Sequence, residues 1–325
     1  MAKNNTAEKI LDYIKDKKQV TGNELSLYLG ISRQALFKHL NRFLAEKILI
    51  KSGRPPKVFY LLAETKKSQN YFLEPEIAEE IKDNYLVVTP SGEFKEGMDG
   101  FVYWCEKNKL DPIKTASEYV KTLAKYEVFK KNGLINGKQK FVSTFNQVNL
   151  DKIFYLDFYS IERFGKTKLG QLLLYAKQSQ DRGMIKALVE SVVPRINELI
   201  KKSRIDAVGF IPPTIKREVQ FMKELQRGLA LNLRILNITK IKTPVIVPQK
   251  SLSNLTDRIE NAKKSIVVED VGQYDNILLI DDAVGSGATL NETAGQIKNR
   301  NLARGKIIGL AITGSFKGFD VISEV

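Results

Sequence analysis

The chain has 325 residues, 43% of them apolar, enough for about two domains with sizeable cores. One cysteine, Cys105, and one histidine, His39, exclude an intramolecular disulfide framework, a Cys-rich or His-rich metal site and a Ser–His centre remote from His39. Lys and Arg number 52 against 37 Asp and Glu, a net charge of +15 that favours a polyanionic partner, while no apolar run reaches the ~20 residues of a membrane span and the start lacks an apolar signal core, so a soluble cytoplasmic protein is expected.

The charge is uneven. Residues 1–67 hold 14 Lys and Arg against 6 Asp and Glu, so about half the excess lies in the first fifth of the chain. "TAEKILDYIKDKK" places Ile10, Leu11 and Ile14 on one helical face. "TGNELSLYLG" predicts a second helix, capped by Thr21 and stopped at Gly30. "ISRQALFKHLNRFLAEKILI" predicts a third, capped by Ser32, with Leu36, Leu40 and Phe43 as its core stripe. "KILIKS", "GRPP" and "KVFYLL" then read as a hairpin around a Gly/Pro turn.

On the third helix, Arg33, Gln34, Lys38, Asn41 and Arg42 lie away from the stripe. Amides and cations are the groups that reach base edges and phosphates in a major groove. Arg54 and Lys57 sit at the hairpin tip. A solvated face with a charged turn, or a protein-docking module, would show the same pattern; the ordered elements with the local charge excess favour nucleic acid. Residues 6–62 resemble bacterial winged helix-turn-helix DNA-binding domains. The resemblance implies that Arg33, Gln34, Lys38, Asn41, Arg42, Arg54 and Lys57 contact double-stranded DNA, and it makes residues 1–66 a DNA-binding domain. Such regulators are often dimers, so a homodimer is expected by analogy.

Residues 67–150 are expected to be a helical linker or middle module. "YLVVTPSGEF" suggests a strand and turn; "MDGFVYWCEKNKL" and "IKTASEYVKTLAKYEVFKK" read as amphipathic helices, with Cys105 packed among aromatics. No catalytic constellation is visible there.

Beyond Ser203 strands and helices alternate. "IDAVGFIP", "TPVIVP", "IVVE", "NILLID" and "GKIIGLAIT" read as strands, and "KREVQFMKELQRGLALNL" and "ATLNETAGQIKNR" as helices. Near-continuous apolar strands alternating with helices imply a parallel sheet covered on both faces, with ligands bound beyond the carboxyl ends of the strands. Ile277 to Ile280 form one such strand, and Asp281 and Asp282 emerge where it is expected to end. Two adjacent carboxylates are costly to bury unpaired; at a crevice they can accept hydroxyl hydrogen bonds or face a cation. In the turn that follows, Gly285 and Gly287 allow positive φ and close backbone approach at a helix N-terminus, an arrangement suited to phosphate.

"ILLIDDAVGSGAT" resembles the phosphoribosyl pyrophosphate (PRPP) motif of type I phosphoribosyltransferases, with Gly285 where a second Thr is common. The resemblance implies that Asp281 and Asp282 hold ribose hydroxyls and that Ala283, Val284, Gly285, Ser286, Gly287, Ala288 and Thr289 hold the 5′-phosphate. "GFIPPTIKREVQFMKEL", "QKSLSNLTDRIENAKKSI" (with Gln249, Leu252, Ser253, Arg258 and Asn261) and "YSIERFGKTKLGQLLLYAKQSQDRGMIKALVESVVPRI" resemble segments of ComF-type members. Such proteins often begin with a Cys-rich zinc module; this chain has one cysteine instead. By that likeness residues 151–325 form a ComF-like phosphoribosyltransferase domain, Lys216, Arg217 and Arg258 face pyrophosphate, and Mg²⁺ arrives with PRPP rather than on ligands of the chain.

The fold expected is therefore α/β, a type I phosphoribosyltransferase-like parallel sheet flanked by helices, preceded by a winged helix-turn-helix and a helical middle segment. The preferred function is a DNA-binding regulator that takes PRPP or a related nucleotide as ligand. Two alternatives stay open: an active phosphoribosyltransferase with an amine or base as acceptor, and a non-catalytic ComF-like factor in DNA processing or uptake.

Overall fold

The structure is a computed structural model, described for residues 4–63, 71–215, 217–241, 247 and 251–315, apart from the side chains of Asn4, Asn5 and Arg54. The chain divides into two compact units, Met1–Tyr71 and Phe72–Val325.

The first unit runs α1 (Asn4–Lys17), β1 (Val20–Thr21), α2 (Gly22–Leu29), α3 (Arg33–Ala45), β2 (Leu49–Arg54) and β3 (Lys57–Leu62). Ile10 and Ile14, one turn apart on α1, are both buried. A reciprocal cap starts α2: Glu24 N donates to Thr21 Oγ1 at 3.2 Å and Thr21 N donates to Glu24 Oε2 at 3.5 Å. Gly30 ends it in the left-handed region, φ 62°. Ser32 Oγ accepts from Ala35 N at the start of α3. The three strands are antiparallel in the order β1-β3-β2, and Val20, Leu49 and Tyr60 close the core over Leu25, Leu36, Leu40 and Phe43.

The second unit begins with α4 (Pro75–Asn84), a hairpin of β4 (Leu86–Val88) and β5 (Phe94–Glu96), α5 (Gly97–Lys107) and α6 (Pro112–Glu127). Then come β6 (Lys130–Lys131), β7 (Leu134–Asn136), α7 (Lys138–Thr144), β8 (Lys152–Phe158), β9 (Ser160–Ile161) and β10 (Gly165–Lys166). Two long helices follow, α8 (Lys168–Ser179) and α9 (Arg182–Ser203). The remaining elements are β11 (Ala207–Phe210), α10 (Phe221–Leu229), β12 (Arg234–Ile235), β13 (Ile238–Lys240), α11 (Leu255–Ser265), β14 (Ile266–Val268), β15 (Ile277–Val284), α12 (Ala288–Asn299) and β16 (Ile307–Gly314).

Among the described residues seven strands make the central sheet, in the order β12-β11-β15-β16-β8-β7-β6. Its first five strands are parallel, and β7 and β6 add an antiparallel edge. One face packs Leu278, Ile280, Leu310 and Ile312 under Leu173, Leu188 and Val192 of α8 and α9. The other packs Ile277, Leu279 and Ala311 under Phe141 of α7 and Leu290, Ala294 and Ile297 of α12. Burial on both faces is why these strands read as unbroken apolar runs rather than alternating ones.

The structure departs from the sequence reading in three places. Residues 67–150 are not a separate module: everything from Phe72 onward belongs to the second unit, and β6 and β7 join its sheet. The segment "IVVE" pairs outside the central sheet, as β14 against β13. The strand β15 does not stop at Ile280 but continues through the acidic pair to Val284. The "TPVIVP" strand expected from the sequence lies largely outside the described residues.

Candidate functional site

In the first unit, α3 separates its residues cleanly. Leu36, Leu40 and Phe43 are buried, while Arg33, Gln34, Lys38, Asn41 and Arg42 are all exposed. Arg42 lies 3.7 Å from Glu46, one turn on, and its guanidinium sits over the Phe43 ring. Both contacts leave it at the surface, where such an ion pair contributes little. Lys57 is exposed at the start of β3; Arg54 ends β2, and its side chain lies outside the described residues.

In the second unit, the end of β11 sets the exposure of the acidic pair. Pairing of β11 with β15 runs from Ala207–Ile277 to Phe210–Ile280, and Ile211 N donates to Ile280 O at 2.9 Å. Pro212 and Pro213 follow and have no N–H to offer. Among the described residues, β15 has a strand partner from Asp281 onward only on its β16 side, with Asp281 opposite Ala311, Ala283 opposite Thr313 and Val284 opposite Gly314. The apolar stretch is completely buried, whereas Asp281, Asp282 and Ala283 are half-buried.

The two carboxylates have different surroundings. Asp282 Oδ2 accepts from Lys177 Nζ of α8 at 2.7 Å, and the paired side chains are only 19% and 11% exposed. Asp281 Oδ1 accepts from Asp282 N at 2.8 Å. Loss of solvation, then the neighbouring Asp282 charge, pushes the Asp281 carboxyl up to about 7, with Lys177 and Lys240 pulling the other way. Lys240, at the end of β13, donates to Thr214 Oγ1 at 2.6 Å; burial lowers its pKa and Asp281 partly restores it.

The turn from β15 into α12 is tightly filled. Ser286, Gly287 and Ala288 are buried, while Gly285 and Thr289 are half-buried. Gly287 caps α12 at φ 85°, ψ 3°, without a side-chain hydrogen bond. Ser286 Oγ accepts from Ala288 N at 3.3 Å. A Cβ on Gly287 would lie 2.3 Å from Phe141 Cζ, so the glycine is required both by its backbone angle and by the aromatic ring against it. Packing against Phe141 is a demand on this position that the sequence did not show. Val284 is buried as well. Thr313, across from Ala283, is fully buried and its hydroxyl has no hydrogen-bond partner among the described residues.

The remaining sequence candidates divide. Arg258 is 4% exposed, and its Nε donates to Leu252 O at 2.9 Å. Arg217 is half-buried in the segment after β11, where Gln220 Nε2 donates to its carbonyl. Lys216 and Gln249 lie outside the described residues. Three lysines that sequence reasoning missed, Lys140, Lys177 and Lys240, hold groups around the carboxyl ends of the strands; Lys140 hydrogen-bonds Ser315, just past β16. Lys177 is one turn after Leu173 on an amphipathic helix and carries no local sign of its partner 105 residues away. Phe141 reads as one more core aromatic.

No protein-family model matches the sequence, and no curated protein does. Among solved structures, the chain is similar to a hypoxanthine phosphoribosyltransferase from Staphylococcus aureus and to an adenine phosphoribosyltransferase from Leishmania tarentolae. The first has 12% identity over 41% of this chain and 78% of that one, with a TM-score of 0.24. The second has 11% identity over 51% of this chain and 93% of that one, with a TM-score of 0.27. Overlaps this loose assign neither activity nor ligand.

The donor set around the acidic pair does not fit a divalent cation held by the protein. Among the described residues no three Asp, Glu, His or Cys side chains converge on one point. One carboxylate of the pair is already neutralised by Lys177, and the other shares its surroundings with Lys240. Among the described residues no helix is long and apolar enough to cross a membrane.

Proposed function

We propose that this chain binds double-stranded DNA through a winged helix-turn-helix in its first unit. In the same reading its second unit is a phosphoribosyltransferase-type sheet that takes PRPP or a related nucleotide as a regulatory ligand. The observation that carries the DNA-binding half is the division of α3: five polar or cationic side chains exposed on a helix whose opposite face holds the core, directly before an antiparallel hairpin. A recognition helix needs such a free polar face, and the hairpin supplies a wing. The +15 charge of the chain supports the same partner through phosphate contacts.

The ligand half is supported by the half-buried acidic pair at the carboxyl end of β15, where, among the described residues, the shorter β11 leaves one edge of the strand open. Open edges of this kind at the carboxyl ends of parallel strands are where α/β sheets hold ligands.

Titration of the full chain against mixed-sequence duplex DNA tests the first half. Affinity is expected to fall at least tenfold between ~50 mM and ~200 mM salt, and Lys38→Ala and Arg42→Ala each to weaken binding and flatten the salt slope by about one. Salt-insensitive binding, or variants that bind as the parent does, would assign the α3 face to something other than DNA.

A further inference from the structure

The acidic pair of β15 is not a pair of free carboxylates. Asp282 is bound to Lys177 at 2.7 Å in a largely buried contact, and Lys240, held on Thr214, lies within electrostatic reach of Asp281. A third lysine, Lys140, is fastened to Ser315 at the end of the neighbouring strand. Three cations from α7, α8 and β13 are thus fixed around the end of a sheet whose acidic pair supplies two negative charges. A divalent ion entering here would have to displace Lys177 from a sheltered ion pair and leave that ammonium without its partner, an unfavourable exchange. An anionic phosphate ester meets no such conflict: it can approach Lys240 while Lys177 stays on Asp282, and the carboxylates remain able to accept from sugar hydroxyls through their second oxygens. Across from Ala283, the fully buried hydroxyl of Thr313 has no hydrogen-bond partner among the described residues.

We infer that this site binds a pentose phosphate ester without a divalent cation, Lys240 supplying positive charge and Lys177 holding Asp282 in place for the sugar hydroxyls. The inference rests on the sugar-phosphate reading above and narrows it: the ligand is selected as the bare phosphate ester, and Asp282 orients sugar hydroxyls while held in place by Lys177. Lys177 is accordingly a positioning residue, acting on the ligand through Asp282. Its charge, not its length alone, is what the site requires.

Isothermal titration calorimetry of the full chain with ribose 5-phosphate and with PRPP, each in EDTA and in magnesium, separates the two claims. The expected result is binding of ribose 5-phosphate whose affinity differs less than about threefold between the two buffers. Lys177→Met is expected to weaken binding at least tenfold in EDTA and to regain part of it in magnesium, because the freed Asp282 then accepts a cation. Lys177→Arg, which keeps the charge, should bind as the parent does, and circular dichroism of each variant reports whether it is folded. If Lys177→Met does not fold, Lys240→Met carries the same comparison. Wild-type binding that requires magnesium overturns this inference and leaves the sugar-phosphate reading standing. Metal-free binding that both methionine variants leave unchanged also overturns it. Absence of binding to either sugar phosphate in both buffers overturns the underlying reading and this inference together.

Discussion

Asp281 and Asp282 are adjacent in sequence and chemically identical, yet the fold gives them different tasks. Asp282 has a cationic partner at 2.7 Å, while Asp281 is desolvated with a like charge beside it, and its carboxyl rises to about 7 from an ordinary value near 3.9. Between about pH 4 and pH 7 the folded protein therefore holds a proton there that the unfolded chain has lost. Stability from this group is present at low pH and is lost as pH rises through about 7. Asp281→Asn removes the ionisation while its amide oxygen can still accept from Asp282 N. The variant is expected to melt a few degrees above the parent at pH 8, by a smaller margin at pH 5 and level with it only below about pH 4, as read by calorimetry. A lower melting temperature at pH 8 would show that the charged form is the one the fold favours. Gly287 carries a different lesson: Phe141 and a φ of 85° each demand glycine there, whatever else the motif does.

Among the elements, α2 and α3 are bounded by local chemistry that can be read along the chain. Thr21, Gly30 and Ser32 cap and stop the helices where their side chains and backbone preferences predict. The 3.6-residue period of Leu36, Leu40 and Phe43 likewise marks the face that is buried. Burial outweighs capping in magnitude. Leu40→Ala is expected to cost about 2–5 kcal/mol, and Thr21→Ala about 1 kcal/mol. Hydrogen exchange of the α2 and α3 amides during urea titration measures both; equal costs would mean that the core around Leu40 refills after truncation. Elements set by distant partners were less legible. Lys130–Lys131 and Leu134–Asn136 are too short to show a period, and they become strands because β8 offers an open edge. The end of β15 was misplaced for a related reason: charge in a sequence suggests the end of a buried strand, but β16 continues to pair with it past the aspartates.

At the scale of the whole molecule, DNA on the first unit and a sugar phosphate on the second, as proposed, raise the question of coupling between the two ligands. Coupling exists only if the ligand binds the DNA-bound and DNA-free forms with different affinity. A sugar phosphate at saturation is expected to change duplex affinity by about fivefold or more, and saturating duplex to change sugar-phosphate affinity by the same factor. Fluorescence anisotropy and calorimetry on the full chain give the two factors; no change in either direction would make the two units independent binders on one chain.

By itself the amino-acid order determined the helices of the first unit, the polar face of α3, the apolar run of β15 and the mostly parallel sheet around it. Each of these follows from period, capping and strand composition, which act over a few residues. Only the tertiary structure decided that Lys177 meets Asp282 across 105 residues, that Phe141 covers Gly287, that Arg258 is buried against a carbonyl and that residues 130–136 extend the sheet. Such contacts depend on which surfaces the chain path brings together. A lysine on a helix, or a phenylalanine in a core, carries no local mark of the partner it will find.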